Sequence, residues 1–350
     1  MANIFARSPY IVEINEAGQV ETKIELRLWN STSTTAVPTA PQKVLSKLIP
    51  SSNAPATYYD ISPYIREFIN HNTIQTTPAV NQNTTTTQYC QVQIRKYKRV
   101  TNTFVEVGTA EQHRAFEGFG YFEDGYNPSL TEVLLSPLTY YYYGTTDIGW
   151  ITVSNSNNTF LRYTNPSGSV YNLPISGLPN RVSNFPRVYS SFLGVGNKVE
   201  LLNNVGAVTW TGYFYPKTEC KYTPVRLDFV NKFGAWQREW FFKASYDNLN
   251  VENREYNTLP STYPNYTLTQ GQRNVFNSNG KRTIRVNTDW VDETYSEVIQ
   301  QMMLSEKMLI DGKAAKMNTK STELFKSINT KMINYQLEFE YAYDTINSVM

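Results

Sequence analysis

The groups in this chain able to do acid–base, nucleophilic or metal chemistry are few, and their spacing assigns little to them. Only His71 and His113 are present, far apart in sequence and away from either cysteine, so no zinc or iron site is expected. His113, within Glu111-Gln-His-Arg114, has the chemistry of a general base, but its position reads as an exposed histidine at a strand edge. There is no Gly-x-Ser-x-Gly elbow, and Ser191-Phe-Leu-Gly194 does not supply one. Gly118-Phe-Gly120 and Gly194-Val-Gly196 lack the third glycine or the Lys-Ser/Thr of a phosphate loop and read as bulges or tight turns. Glu117, Glu123 and Asp124 stand beside Phe116, Phe119, Tyr121 and Phe122, which suits either a glycosidase carboxylate pair or an aromatic strand followed by an acidic turn. The second reading needs nothing beyond ordinary turn chemistry, so no catalytic residue and no cofactor is expected.

Two further groups suit binding. Arg95-Lys-Tyr-Lys-Arg99 is the only basic run; strand alternation puts its charges on both faces, as in a solvated strand end. With 32 Lys and Arg against 30 Asp and Glu, the chain has no net field to gather nucleic acid. Tyr140, Tyr141, Tyr142 and Tyr143 are consecutive. Tyrosine combines a large rigid face with a hydroxyl, which fits a seam between subunits, a sugar-stacking surface or half-buried strand packing.

The elements that must position these groups are mostly strands. Apolar residues make up 40% and charged residues 18% of 350, with abundant Thr, Asn, Ser and Tyr, a mixture that suits pleated, half-exposed surface. The expected fold is mainly β: tandem β-sandwich-like units, then a C-terminal α+β unit with one main helix. Boundaries are expected after 128 and 217, giving units 1–128, 129–217 and 218–350.

In the first unit, Ile24, Leu26 and Leu28 alternate with Lys23, Glu25 and Arg27, as in a strand with one wet face. Cys90 alternates with Val92 and Ile94 as a buried thiol would, and neither it nor Cys220 is expected in a disulfide. A short helix is expected around 62–69, with Ser62 as its cap and Pro63 at its first position. The polar stretch 73–88 reads as an exposed loop, and strands are expected at 104–107 and 114–122.

The second unit reads as short strands such as 148–153 and 159–163. In the third, Asn231-Lys-Phe-Gly234 is expected to turn an aromatic hairpin with Trp236, Trp240 and Phe242 on one face. Asn279-Gly280 is expected to turn another between 274–276 and 283–286. Asp289 is expected to cap a helix carrying Val291, Tyr295, Val298, Ile299 and Met302 as one stripe. A strand follows at 307–310, and the chain closes on a strand at 335–343, where Tyr335, Leu337, Phe339, Tyr341 and Tyr343 alternate with polar residues. The N-terminus has no signal-peptide pattern and no stretch is long and apolar enough to cross a membrane, so synthesis in the cytoplasm without membrane insertion is expected.

Four segments carry a family resemblance: Asp60-Ile-Ser-Pro-Tyr-Ile-Arg-Glu-Phe-Ile69, Leu227-Asp-Phe-Val-Asn-Lys-Phe-Gly-Ala-Trp-Gln237, Asp289-Trp-Val-Asp-Glu293 and Leu337-Glu-Phe-Glu-Tyr-Ala-Tyr-Asp344. Together they resemble structural proteins of tailed-bacteriophage virions, of the type found in phages of Bacteroidetes-type bacteria; the likeness is weakest over 129–217. The resemblance implies a tail or baseplate subunit, akin to distal-tail or hub proteins, that is made in the host bacterial cytoplasm, forms a symmetric homo-oligomeric ring and docks other virion proteins. A host-glycan-binding or depolymerase component, and a head- or capsid-associated protein, are the alternatives.

Overall fold

The computed structural model describes residues 2–49, 56–74, 82–83, 85–128, 131–144, 149–154, 158–175, 182–259, 264, 268–269, 271–322 and 332–347. The protein is mainly β, with twenty-two strands and two α-helices among the described residues. No helix among them is long and apolar enough to cross a membrane.

The chain forms two compact units, 1–218 with 229–239 and 300–305, and 219–228 with 240–299 and 306–350. The first unit runs through 128, one of the positions at which a boundary is expected. Polar contacts bridge that position: Arg114 Nη1 donates to Ser154 Oγ at 2.7 Å, and Ser154 Oγ donates to Asn3 Oδ1 at 3.1 Å. The arginine side chain, buried at this bond, joins residues on both sides of the expected division.

The first unit contains a five-stranded sheet in the order Ala2–Phe5, Thr103–Phe116, Tyr89–Val100, Glu21–Trp29 and Lys43–Leu48. Alternation in Glu21–Trp29 places Thr22, Ile24, Leu26 and Leu28 inward, where they meet Cys90, Val92 and Ile94. Each such apolar side chain contributes roughly 1.5–3 kcal/mol by leaving water. Thr22 is tolerated in this core because its hydroxyl bonds the hydroxyls of Thr57 and Tyr59, each at 2.7 Å. Thr103–Phe116 is one continuous strand that takes in the strand expected at 104–107 and only the start of the one expected at 114–122, since 117–122 lie outside it; His113 pairs with Ala2 on one side and Val92 on the other, so it is an interior strand residue rather than an edge one.

The short helix is Ser62–Arg66, and Ser62 does not cap it. Its hydroxyl donates to the Ser8 carbonyl and accepts from Tyr10 N–H, while Asp60 Oδ1 accepts from Ser62 N–H. Part of the expected loop 73–88 lies outside the described residues. Within the remainder, Gln82–Asn83 pairs with Val182–Pro186 instead of being free loop. A second five-stranded sheet runs Val170–Pro174, Asn158–Thr164, Asn197–Asn203, Val208–Pro216 and Thr139–Tyr142.

The turn Asn231-Lys-Phe-Gly234 forms as expected between Val225–Val230 and Trp236–Phe241. Asn231 Oδ1 accepts from the amides of Phe233 and Ala235. The following strand has no wet face, however, because Gln237, Arg238 and Glu239 are buried along with Trp236. The Gln237 and Glu239 side chains are bonded internally: Asn231 Nδ2 donates to Gln237 Oε1, and Gln237 Nε2 to Glu239 Oε1. Burial lowers the Arg238 pKa to about 10, and its guanidinium lies 4.9 Å from the Trp150 ring centroid.

The second unit is built on Met308–Ile310, Lys313–Met317, Met332–Asp344, Arg273–Asp292 and Tyr246–Asn257, hydrogen-bonded in that order. The closing strand keeps the expected period, with Tyr335, Leu337, Phe339 and Tyr341 buried and Phe339 6.1 Å from Phe241. Asn279-Gly280 is not a turn. It lies inside the twenty-residue strand Arg273–Asp292, with Asn279 opposite Glu252 and Gly280 opposite Val251. Asn279 instead anchors the chain end, bonding both N–H and C=O of Ile346, and a Cβ on Gly280 would fall 2.7 Å from Leu249 Cδ1. The near atom is the tip of the Leu249 side chain, which is itself exposed.

The main helix also starts later than expected. Trp290 and Val291 belong to the strand, Asp292 caps the turn Glu293–Tyr295 by accepting from Thr294 N–H, and the α-helix is Ser296–Met303. Pairing of Val291 with Ile333 extends the strand past the Asp289 cap position. Val298, Ile299 and Met302 of the expected stripe are fully buried.

Candidate functional site

The tyrosine run is split by strand alternation. Tyr140 and Tyr142 are core residues: Tyr140 stacks on Phe214 with centroids 5.5 Å apart and donates to the Ser136 carbonyl, and Tyr142 donates to the Leu193 carbonyl. Tyr141 and Tyr143 are 42% and 37% exposed, and Lys217 Nζ lies 5.5 Å from the Tyr141 ring centroid. They lie in and just after Thr139–Tyr142, an outer strand of its sheet.

The acidic group is also divided. Glu117 follows Thr103–Phe116 and meets His71, whose side chain is wholly buried. His71 Nδ1 lies 2.8 Å from Glu117 Oε2, and Nε2 lies 3.0 Å from the Gly234 carbonyl. A carbonyl only accepts, so Nε2 carries a proton and donates it there. Arg66 Nη2 sits 3.5 Å from the other Glu117 oxygen, and the Trp236 ring meets the imidazole edge-on. Burial opposes ionisation of Glu117, but the hydrogen bond from His71, with the charges of His71, Arg66 and Arg7, outweighs it and holds the pKa below its ordinary value. Asp124 instead accepts from Tyr121 N–H, and Glu123 is exposed. The contact this arrangement makes is a hydrogen-bonded latch joining the segment after the short helix, the end of a sheet strand and the turn at Gly234.

The basic run is neutralised residue by residue. Arg95 faces Glu106, Lys96 faces Glu111, Lys98 faces Glu16 and Arg99 faces Glu21, while Tyr97 donates to Glu25. No group of three or more His, Cys, Asp or Glu among the described residues is placed to hold a metal ion. Burial lowers the His113 pKa, against the nearby Glu111 carboxylate at 3.4 Å.

A strand exposed along its whole length lies elsewhere among the described residues. Tyr246–Asn257 is the outermost strand of its sheet, and all twelve of its residues are exposed. It pairs with Arg273–Asp292 from Tyr246 opposite Arg285 to Asn257 opposite Arg273. The closing strand joins Arg273–Asp292 only from Lys281 onward, so residues 251–257 and 273–278 form a two-stranded arm without a third strand among the described residues. Leu249, Val251, Tyr256, Val275 and Phe276 are each at least 48% exposed, and Tyr256 meets Phe276 edge-on at 6.0 Å. The arm's charges are partly cancelled across the ladder by Lys281–Glu252 and Arg282–Asp247. Its one irregularity, between Arg254 and Glu255, places the extra residue on the inner strand and leaves the outer edge regular. Two-stranded ribbons are marginal alone in water, and long regular edges with apolar side chains are templates for pairing.

Sequence patterning missed this arm, because neither face of 246–257 covers a core and no apolar period arises there. The unusual signal available was Asn279-Gly280, which pointed to a hairpin but not to its position. The chain matches no protein-family model, and no curated protein is significantly similar to it.

Proposed function

We propose that the protein is a structural subunit of a phage tail or baseplate, forming a symmetric ring and docking neighbouring virion proteins. The observation that carries this reading is the arm: an outermost strand exposed at all twelve residues, with a regular free edge and apolar side chains. In an assembly, another chain completes the ladder along this edge by strand addition, and the exposed apolar side chains are covered at the same time. Ring formation requires that the arm of one copy meets a different surface on the next, a heterologous contact that closes on itself. The exposed Tyr141 and Tyr143, on an outer strand of another sheet, offer a second contact surface for a neighbour. The phage assignment rests on the four segments that resemble virion proteins.

Negative-stain imaging of the purified chain, with immunogold localisation in particles, tests this reading. Closed rings and label at the tail or baseplate are the expected results. A chain that stays monomeric at high concentration and is absent from particles would overturn it.

A further inference from the structure

A second feature of the 219–350 unit has different chemistry. On one face of its sheet, Arg285 lies opposite both Tyr246 and Glu338, and Asn287 lies opposite Gln336. Tyr246, Arg285, Asn287 and Gln336 floor a cleft of about 170 Å³ walled by Tyr222 and Lys243.

The charges in this cleft are already compensated. Arg285 Nη2 lies 3.2 Å from Glu338, and Lys243 Nζ lies between Asp289 at 3.5 Å and Glu219 at 3.6 Å. Asp289 in particular raises the Lys243 pKa, which keeps the ammonium charged and matched. An anion entering here would have to displace a carboxylate, and a cation would meet two resident ones.

What the cleft leaves unused is neutral hydrogen-bonding capacity. The hydroxyls of Tyr222 and Tyr246 and the side-chain amide of Gln336 bond no described residue. Asn287 spends its Oδ1 on the Asp289 amide and has its Nδ2 left over. Tyr246 is 63% exposed, so its ring is open to a ligand. The volume suits one small polar ring rather than a chain of them. Aromatic faces with a few convergent amides and hydroxyls, beside two cations already held by neighbouring carboxylates, match a ring that is apolar on its faces and hydroxylated around its rim.

We infer that this cleft binds a single neutral pyranose unit, stacked on tyrosine and hydrogen-bonded through Gln336 and Asn287. Recognition of one sugar ring at a shallow site is weak, in the millimolar range, and gains strength when copies of the chain are held side by side.

The test is saturation-transfer NMR on the full chain with methyl glucoside, methyl galactoside, methyl mannoside and N-acetylglucosamine, with inorganic phosphate and N-acetylneuraminate as charged competitors. At least one neutral sugar is expected to receive saturation at its ring protons, with neither charged competitor displacing it. Tyr222→Ala and Gln336→Ala, both outside the arm, are each expected to weaken the response about tenfold or abolish it. Thermal unfolding and oligomeric state measured on the same samples separate loss of the site from loss of fold or assembly. The inference is overturned if no neutral sugar responds with the wild-type chain. It is equally overturned if the response survives unchanged in folded Tyr222→Ala or Gln336→Ala, or if phosphate or N-acetylneuraminate displaces the sugar.

Discussion

His71 and Glu117, forty-six residues apart, meet at 2.8 Å through Nδ1 and Oε2, with the Gly234 carbonyl holding the other imidazole nitrogen. The imidazole is buried with both nitrogens facing oxygen acceptors, so replacing Glu117 leaves one of them without its charged partner. Glu117→Gln is expected to lower the unfolding free energy by about 1.5–3 kcal/mol at neutral pH, the usual range for a hydrogen bond to a charged group. Because the Glu117 pKa is lowered in the folded state, its contribution is complete above the ordinary glutamate value of 4.5 and disappears as pH falls through the lowered one. Denaturant titrations of both proteins across the acid range should therefore show the gap closing below that value. A gap that stays constant into strong acid would remove Glu117 as its cause.

The close approach behind that contact is tested at Gly234. Its φ is +77°, and a Cβ there would fall 2.6 Å from the Glu117 amide nitrogen. Gly18 has a similar φ of +69° with nothing within 4 Å. Gly18→Ala should show the backbone term alone, about 1–3 kcal/mol. Gly234→Ala should lose clearly more, since the turn must also retreat from Glu117. Equal losses in chemical denaturation would mean that the approach is not constraining.

Phe339 tests the closing strand. The ring is completely buried against Phe241, so Phe339→Ala is expected to cost about 3–5 kcal/mol. An unfolding midpoint within error of wild type would contradict that burial.

The two thiols should differ in reactivity. Cys90 is fully buried, and burial pushes its pKa up to about 12, whereas Cys220 is exposed. Native protein at mildly alkaline pH should take up one equivalent of a disulfide-exchange reagent, and a second only after unfolding. Two equivalents at the same rate in native protein would rule out the buried thiol.

Segments with one dry face were legible in the sequence. The alternation of Ile24, Leu26 and Leu28, and of Tyr335, Leu337 and Phe339, marks the residues that face the core, and Asn231 to Gly234 carries its turn in its own side chains. Segments whose conformation depends on distant partners were not. Asn279-Gly280 has turn chemistry, yet pairing on one side and the anchored Ile346 on the other hold it extended. His71 and Glu117 each looked unremarkable because what makes them notable is the contact between them. The tyrosine run was visible as a composition, but alternation, which sends Tyr140 and Tyr142 into the core, leaves only Tyr141 and Tyr143 for a partner.

The measurement that bears most directly on assembly through the arm is the mass distribution of two chains, the full protein and one lacking 251–278. That deletion joins Asn250 to Asn279-Gly280-Lys281. Asn250 and Lys281 already lie opposite each other, so Asn-Gly closes a two-residue hairpin that keeps the pairing from Lys281 onward and gives up the bonds of Asn279 and Gly280 to Ile346 and Thr345. Mass photometry should find the full chain as closed oligomers and the shortened chain as folded monomers. The same oligomer from both chains, or monomers from both, would contradict the account.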